Sequence, residues 1–537
     1  MTLRPAARSR QRGVVALVLV AILLLGGAVF AFSSFSFTTV RVDRDRNTNE
    51  ALAKAKDALI AYAVADTVRP GELPCPDVNN DGRVTVGEDM VGSACVSLLG
   101  RLPWFTLGLP DLRDDAGERL WYALSNDFHA NGTVPLNSDT AYLAANVSLT
   151  MTGTTSEPIT NLVAIVFSPG AALTRSNGVV QVVQTRGCAG GAGAGCDVNL
   201  KCTSTPAANT DKCNALNYLD FALGEDNADL ANRIFVSAPR SQAFNDRLMP
   251  VFSDDIMKLV ERRASRELAQ RMRNHYTAWQ SAAVSNTRGF YPFAVPWNDP
   301  SNTPPTPGIN NTTAGLLPLT NTPLVWSSAS SLLVTCIGVG TPTLDCTGWV
   351  VCVVICLSGI SARIDNMATR FVDPPTAANV QTLLGLSLGG TSTWNLNTAA
   401  RRLEFSYGNL VGIDWLHIRV SAPSLTMPSW LSENNWQQNA YYAFSPGYSI
   451  DGGGGCPPAC FTVTNTGSPN NDNQAVVVMS GRALQAAAQA VRPVPPAPPP
   501  PVSFNQFFEG VNAGVGTVFE SNARIATFND TAVGVKP

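Results

Sequence analysis

A run of oxygen-bearing side chains at regular spacing is the part of the sequence best suited to chemistry. Asp77, Asn79, Asp81 and Glu88 stand at positions 1, 3, 5 and 12 of the segment DVNNDGRVTVGE, and Arg83 offers its carbonyl at position 7. Calcium is bound by about six to eight oxygen ligands in loops with this spacing. The segment therefore predicts a structural calcium-binding loop, with a polar turn that binds no metal as the alternative.

Twelve cysteines, an even number, indicate an oxidised and exported protein rather than a zinc-binding one. Cys75 and Cys95 bracket the acidic loop, and a disulfide between them would hold its ends together. His129, His275 and His417 are the only histidines, and none lies close in sequence to a group of cysteines, which disfavours zinc. The cysteines occur in local groups and are all candidates for disulfides: Cys75, Cys95, Cys188, Cys196, Cys202, Cys213, Cys336, Cys346, Cys352, Cys356, Cys456 and Cys460.

The composition and the remaining motifs favour neither an enzyme nor a nucleic-acid-binding protein. Charged residues make up 14% of the chain and the net charge is −3, so bulk electrostatics give no reason to expect a nucleic acid. The CPPAC segment at 456–460 has three intervening residues rather than two, which favours a local disulfide over a redox site. The sequence contains no nucleophile elbow, zinc-protease or serine-protease motif, and we predict that the chain is not an enzyme.

The N-terminus carries a membrane-targeting pattern. Arg4, Arg8, Arg10 and Arg12 precede an uncharged apolar run over 14–32. At about 1.5 Å rise per residue, a helix of this length spans about 28 Å, close to the hydrocarbon thickness of a bilayer. The arginines place the N-terminus in the cytoplasm and the bulk of the chain outside. A cleaved secretory signal is the alternative, but the run is long and lacks a small-residue cleavage site.

Residues 10–17, RQRGVVAL, resemble the leader of type IV prepilins and of the pseudopilins of type II secretion. The resemblance implies that a prepilin peptidase cuts between Gly13 and Val14, that Val14 is then N-methylated, and that the apolar helix remains as a filament spine. It also implies a single pass through the bacterial inner membrane and contacts with other minor pilins or pseudopilins. The family usually has Phe or Met at the position of Val14, and most members have glutamate at the position of Val18. Loss of that glutamate resembles the tip subunits.

The spine helix is predicted to continue beyond the membrane to about Ala65. Leu52, Ala55, Leu59 and Tyr62 recur there at helical spacing. We divide the chain into a leader at 1–13, a transmembrane spine helix at 14–44, a first pilin-like module at 45–252 that contains the calcium loop, and a second pilin-like module at 253–537.

The two modules repeat similar segments in the same order, with a period of about 300 residues, which indicates a duplicated domain. The matched pairs are WYALS at 121–125 with YYAFS at 441–445, VAIVFS at 163–168 with AVVVMS at 475–480, GEDNA at 224–228 with GVNA at 510–513, and FND at 244–246 with FND at 528–530.

Each module also contains an amphipathic helix near its start. In the second module Ser253 is the predicted N-cap. The predicted fold is α+β, with a long hydrophobic N-terminal helix followed by two tandem modules of a helix on an antiparallel sheet. The apolar stripe of the second helix is predicted to consist of Ile256, Val260, Ala264, Leu268 and Met272.

Three further segments stand out. An insertion at 298–400, rich in Thr, Asn, Gly and Pro, contains four cysteines. The segment RPVPPAPPPPV at 492–502 predicts a polyproline spacer that brings the last segment back to pair within the second module. LPCPD at 73–77 and GRLPW at 100–104 resemble a block of large pilin-like proteins of Gram-negative bacteria, and Trp104 is expected to pack the sheet against the spine helix.

These patterns favour a structural function. The leading prediction is a minor subunit at or near the tip of a type IV pilus or a type II secretion pseudopilus, with the bulk of the chain in the periplasm or on an extracellular filament. A membrane-anchored adhesin that uses the insertion at 298–400 is the second prediction. A periplasmic enzyme is the third, because no catalytic constellation is present in the sequence.

Overall fold

The computed structural model has a mixed α+β fold, with a helix over 44–65 and several antiparallel sheets. The leader, nearly all of the apolar run and nearly all of the Pro-rich spacer lie outside the described residues. None of the helices in the described part of the chain combines the length and apolar character needed to cross a membrane. The structure describes residues 20, 44–126, 128–129, 135–142, 148–153, 157–176, 181–184, 186, 214–282, 289, 291–296, 313–319, 326–336, 344–347, 353–356, 359–367, 391–397, 402–408, 414–417, 425–449, 454–456, 458–465, 469–484, 489, 492, 504–514 and 516–536.

The chain forms two compact units, each assembled from separate stretches. Unit 1 comprises Met1–Tyr62, Leu73–Ala130 and Ser148–Phe252, and unit 2 comprises Ala63–Glu72, Asn131–Val147 and Ser253–Pro537. Two short stretches that precede Ser253 in sequence therefore belong to unit 2. No pattern in the sequence predicts this exchange.

Unit 1 contains most of helix α1 (44–65) and a six-stranded sheet. The sheet has the order β11-β5-β6-β4-β3, and β12 also pairs with β6. All neighbours are antiparallel except β5 and β11. The strands of this unit are β1 (Met90–Val91), β2 (Ala94–Cys95), β3 (Leu99–Arg101), β4 (Trp121–Leu124), β5 (Leu149–Thr152), β6 (Ile159–Ser168), β7 (Thr174–Ser176), β8 (Gln181–Val183), β9 (Phe221–Ala222), β10 (Glu225–Asp226), β11 (Ile234–Val236) and β12 (Arg247–Phe252).

Unit 2 contains helices α2 (Ser253–Ala282) and α3 (Ser429–Glu433). Its central sheet has the order β13-β21-β24-β26, and α2 packs on β24 and β26. The strands are β13 (Ala314–Leu316), β14 (Trp326–Cys336), β15 (Leu344–Thr347), β16 (Val353–Cys356), β17 (Gly359–Met367), β18 (Thr391–Asn397), β19 (Arg402–Gly408), β20 (Asp414–His417), β21 (Ala440–Phe444), β22 (Phe461–Asn465), β23 (Pro469–Asn473), β24 (Ala475–Met479), β25 (Val518–Ser521) and β26 (Thr531–Val535).

The central strands of both units follow the same order. In unit 1, β6 pairs antiparallel with β4 and β12; in unit 2, β24 pairs in the same way with β21 and β26. The strand registers set Trp121 opposite Phe167 and Tyr441 opposite Val478. The matched sequence segments align Phe167 with Met479, whereas the pairing with β4 and β21 makes Phe167 equivalent to Val478. The two alignments of β6 with β24 therefore differ by one residue.

Helix α1 buries one side and exposes the other. Leu52, Ala55 and Leu59 are buried, whereas Tyr62 is half-buried. The Lys56 ammonium donates to the carbonyl of Pro250 on β12 at 3.0 Å. The apolar positions that recur at helical spacing therefore hold the helix in unit 1 through the hydrophobic effect.

Helix α2 presents the predicted apolar stripe to the protein interior, since all five residues of the stripe are buried. The prediction for Ser253 was wrong. The helix begins at Ser253 itself, whose hydroxyl donates to the carbonyl of Ala141 at 2.9 Å. Asp254 and Asp255 occupy the first turn, where carboxylates favour the positive end of the helix dipole. The hydroxyl thus joins the helix to the stretch at 131–147 instead of capping the helix.

The insertion of the second module contains a sheet of its own, with the order β15-β14-β17-β19-β18. A separate two-stranded sheet joins β16 to β20. Because β19 and β20 follow residue 400, the paired structure extends beyond the predicted end of the insertion.

The local disulfide predicted between Cys456 and Cys460 is present. Most other candidates lie on parts of the chain that are not described in full. Cys188, Cys196, Cys202, Cys213 and Cys352 lie outside the described residues, and Cys336, Cys346 and Cys356 lie on strands whose side chains are not described.

Truncation of Leu59 tests the burial of α1. Leu59→Ala should lower the free energy of unfolding by about 2–5 kcal/mol, because it removes a fully buried side chain and leaves a cavity. Lys54→Ala, on the exposed side of the same helix, should change it by less than about 0.5 kcal/mol. Chemical denaturation of the full chain measures both. Equal effects would contradict the assigned orientation of the helix.

Candidate functional site

The predicted calcium loop, at 77–88, lies immediately before the hairpin of β1 and β2 in the sequence. Asp77 at its start pairs with Arg101 on β3, with N–H to carbonyl distances of 3.0 and 2.7 Å. The predicted disulfide between Cys75 and Cys95 is present and joins the two sides of the loop. The ends of the loop are therefore held by a covalent bond and by backbone pairing with the sheet.

The Asp77 carboxylate is the centre of the first half of the loop. One oxygen, Oδ1, accepts from the backbone N–H groups of Asn79 and Asn80, at 3.0 and 2.6 Å. The other, Oδ2, accepts from the N–H of Gly82 at 2.7 Å. Three donors around one carboxylate draw the chain into a tight turn, and Gly82 permits the turn with a φ of +81°.

Burial opposes the negative charge of this carboxylate. Asp77 is 1% exposed, and burial raises its pKa to about 6, while the N–H of Gly82 acts in the opposite direction. The neighbouring carboxylates Asp89 and Asp81 raise the pKa further. Positive charge brought to the loop would favour the ionised form.

The structure brings two of the other predicted ligands together. The Asn79 amide donates to Glu88 Oε2 at 2.9 Å, so positions 3 and 12 of the motif meet across the loop. Asp81 accepts from the N–H of Arg83 at 2.8 Å, and the oxygen of Asn79 accepts from the N–H of Asp81 at 3.1 Å. The oxygen-bearing side chains thus line one folded loop.

Residues 104–106, which follow β3, pack against the loop. The N–H groups of Phe105 and Thr106 donate to the carbonyl of Gly82 at 2.8 and 3.2 Å, and the guanidinium of Arg83 lies 3.4 Å from the ring centre of Phe105. Trp104 is half-buried and lies directly against Gly82. The contact that the structure gives Trp104 is with the loop, and its expected packing of the sheet against the spine helix stays a prediction.

Asp89 is a loop residue that the motif did not identify. Its carboxylate accepts from the N–H groups of Val78 and Thr85, at 2.9 and 3.0 Å, and its side chain is fully buried. It therefore fastens the first half of the loop to the second. The only sequence signal was a second acid directly after Glu88, which the calcium pattern does not include.

His129 lies close to the disulfide. A ring nitrogen and the sulfur atoms of Cys75 and Cys95 lie within 4.8 Å of one another. Because the two sulfurs are bonded to each other, they are not available as thiolate ligands. The oxygen-bearing side chains of the loop, rather than this group, are therefore the candidate cation ligands, and hard oxygen donors suit calcium.

No protein-family model matches this chain, and no curated protein or solved structure matches it either.

The packing of Trp104 on Gly82 can be tested with two glycines of the loop. A Cβ at Gly82 would lie 2.4 Å from the Trp104 ring, whereas one at Gly87 would meet no atom within 4 Å. Both have positive φ, so both alanine variants carry a backbone cost of about 1–2 kcal/mol. Gly82→Ala should lower the free energy of unfolding by about 1–3 kcal/mol more, because the added methyl group overpacks the contact with Trp104. Thermal unfolding compares the two, and equal losses would argue against the contact.

Proposed function

We propose that the chain is a membrane-anchored structural subunit of a type IV pilus or a type II secretion pseudopilus, at or near the tip. The observation that carries this proposal is α1. The chain that leaves the apolar run over 14–32 enters a helix whose apolar side is buried in a unit built around an antiparallel sheet. A pilin spine supports its head in this way, and packing of apolar spines would drive assembly in the membrane.

The two units support a position at the tip rather than in the shaft. Their central strands share one order, which favours two pilin-like modules carried on a single spine. A head of this size would be difficult to repeat along a thin filament, and Val18 replaces the glutamate that is associated with contact to a neighbouring subunit. The partners would be other minor pilins or pseudopilins, together with the prepilin peptidase of the inner membrane.

Processing of the leader tests the proposal directly. The mature chain isolated from membranes should begin at N-methylated Val14, as measured by intact-mass and N-terminal peptide analysis. Gly13→Leu should block cleavage and leave the whole leader attached. Gly26→Leu, which changes a glycine inside the apolar run, should be processed normally. A mature chain that begins after residue 32 would instead identify a secretory signal and exclude the filament subunit.

We also propose that the loop at 77–88 binds calcium as a structural ion. Asp77, Asn79, Asp81 and Glu88 would supply side-chain oxygens and Arg83 a carbonyl oxygen. The support is that the carboxylate at position 1 is buried, that positions 3 and 12 meet, and that a disulfide closes the loop. Calcium would supply the positive charge that this arrangement favours, and an isolated extracellular loop binds with Kd of about 10⁻⁴–10⁻³ M.

Calcium should raise the melting temperature of the full chain above its value in chelator. At about ten times Kd the expected stabilisation is about 1.4 kcal/mol. Glu88→Gln removes one charged ligand and should abolish most of this difference, with little change in chelator. Glu157→Gln, which alters an exposed carboxylate of the same unit, should keep it. Identical melting of the wild type with calcium and with chelator would exclude the ion.

A further inference from the structure

A pair of buried carboxyl groups lies in front of the last strand of unit 1. Asp246 directly precedes β12, and its Oδ2 accepts from the N–H of Asp220 at 2.8 Å and from the Asn227 amide at 2.9 Å. Asp220 Oδ2 in turn accepts from the N–H groups of Asn245 and Asp246, at 2.6 and 3.2 Å. The Gln184 amide donates to Asp220 Oδ1 at 2.9 Å. Each carboxyl group therefore bonds to the backbone of the other residue.

The same arrangement occurs in front of the last strand of unit 2. Asp530 Oδ2 accepts from the N–H of Glu509 at 2.9 Å and from the Asn512 amide at 3.1 Å. Glu509 Oε2 accepts from the N–H of Asn529 at 3.0 Å, and its Oε1 accepts from the Gln489 amide at 2.6 Å. The two units therefore share one set of acids, amides and backbone donors, although an aspartate in one is a glutamate in the other.

One oxygen in each pair has no hydrogen-bond partner among the described residues. It is the same atom in both units, Oδ1 of Asp246 and Oδ1 of Asp530, and both side chains lie in residues that are at most 3% exposed. Among the ion pairs between described residues, none involves any of the four acids. Burying a carboxylate costs much free energy when no cation pairs with it and one of its oxygens accepts no hydrogen bond. Burying the neutral carboxylic acid costs much less.

The charged groups around the pairs do not remove this cost. Asp246 faces Asp220 and, at longer range, the Arg186 guanidinium, which donates to the carbonyls of Pro169 and Gly170 at 3.3 and 3.0 Å. Burial and the charge of Asp220 raise the pKa of Asp246 well above its ordinary range.

In unit 2, Asp530 faces Glu509 and accepts from the Asn512 amide, while the N–H of Asn529 and the Gln489 amide donate to Glu509. Burial and the charge of Glu509 raise the pKa of Asp530 in the same direction. Two neighbouring buried carboxyl groups cannot both ionise at low cost, so one retains a proton.

We infer that each unit contains a proton-binding site, in which the pair Asp220 and Asp246 and the pair Glu509 and Asp530 each hold one proton in the folded chain at neutral pH. The proton stabilises the turn that starts the last strand of each unit. This inference is independent of the proposed filament function.

The sign of the pH dependence follows from proton linkage. The folded chain binds protons that the unfolded chain releases above about pH 4, where aspartate ionises in water. Stability from each pair is fully present below that pH and is lost as the pH rises through the raised pKa of the folded chain. Between about pH 4 and the raised pKa of the folded chain, each retained proton makes the folding equilibrium constant fall about tenfold for every unit by which the pH rises.

Infrared difference spectroscopy of the full chain in detergent at pH 7 tests the inference. A protonated carboxylic acid has a carbonyl band separate from that of carboxylates. Asp246→Asn and Asp530→Asn should each remove one such band, and the double variant both. Asp229→Asn and Asp472→Asn, which change exposed aspartates of units 1 and 2, should remove none.

The wild-type spectrum can overturn the inference even where a variant fails to fold. At pH 7 it should contain protonated-acid bands, and the bands of the two pairs should disappear only when alkali unfolds the chain or ionises the pairs. A wild-type spectrum without such bands would overturn the inference, because both pairs would then be fully ionised, for example through a bound cation. A folded double variant that keeps every protonated-acid band of the wild type would assign the protons to other acids and overturn it as well.

Discussion

The turn in front of the last central strand is the constraint on which both units depend. The last strand, β12 or β26, must return from a long excursion and pair with the middle strand of its sheet. In each unit an asparagine and an aspartate precede that strand. The asparagine N–H donates to an acid that lies 25 positions earlier in unit 1 and 20 positions earlier in unit 2, and the aspartate side chain accepts from the N–H of that acid. Loop closure over such excursions costs entropy. A dense buried network offsets part of this cost and selects one register for the strand, because a shift would leave several buried polar atoms without partners.

The loop at 77–88 follows the same physical rule on a smaller scale. A buried carboxylate, Asp77, collects backbone donors, and a second, Asp89, joins the two halves of the loop. The disulfide between Cys75 and Cys95 and the packing of Trp104 and Phe105 on the loop then restrain it. These restraints would preorganise the oxygen ligands of the proposed calcium site.

Unit 2 is held together by charges that come from distant parts of the sequence. Asp139 and Arg492 form an ion pair at 2.6 Å with side chains that are 4% and 2% exposed. Ser138 donates to Glu261 on α2 at 2.8 Å, and Arg524 lies 2.7 Å from the same carboxylate. A buried ion pair adds little net stability, but loss of one partner is severe because it leaves the other charge uncompensated. The stretch at 131–147 is therefore an integral part of unit 2.

Local patterns in the sequence predicted the features that depend on neighbours within a few residues. The helical spacing of Leu52, Ala55 and Leu59 and the stripe of α2 were predicted in this way, because side chains three or four positions apart share one face of a helix. The disulfide between Cys456 and Cys460 was predicted because the two cysteines are only four positions apart. Packing decided the rest. It assigned 63–72 and 131–147 to unit 2, turned the hydroxyl of Ser253 toward Ala141, placed Trp104 on Gly82 and paired Asp220 with Asp246. These contacts join segments that are far apart in sequence, and their geometry exists only once the sheets have formed, so no local spacing encodes them.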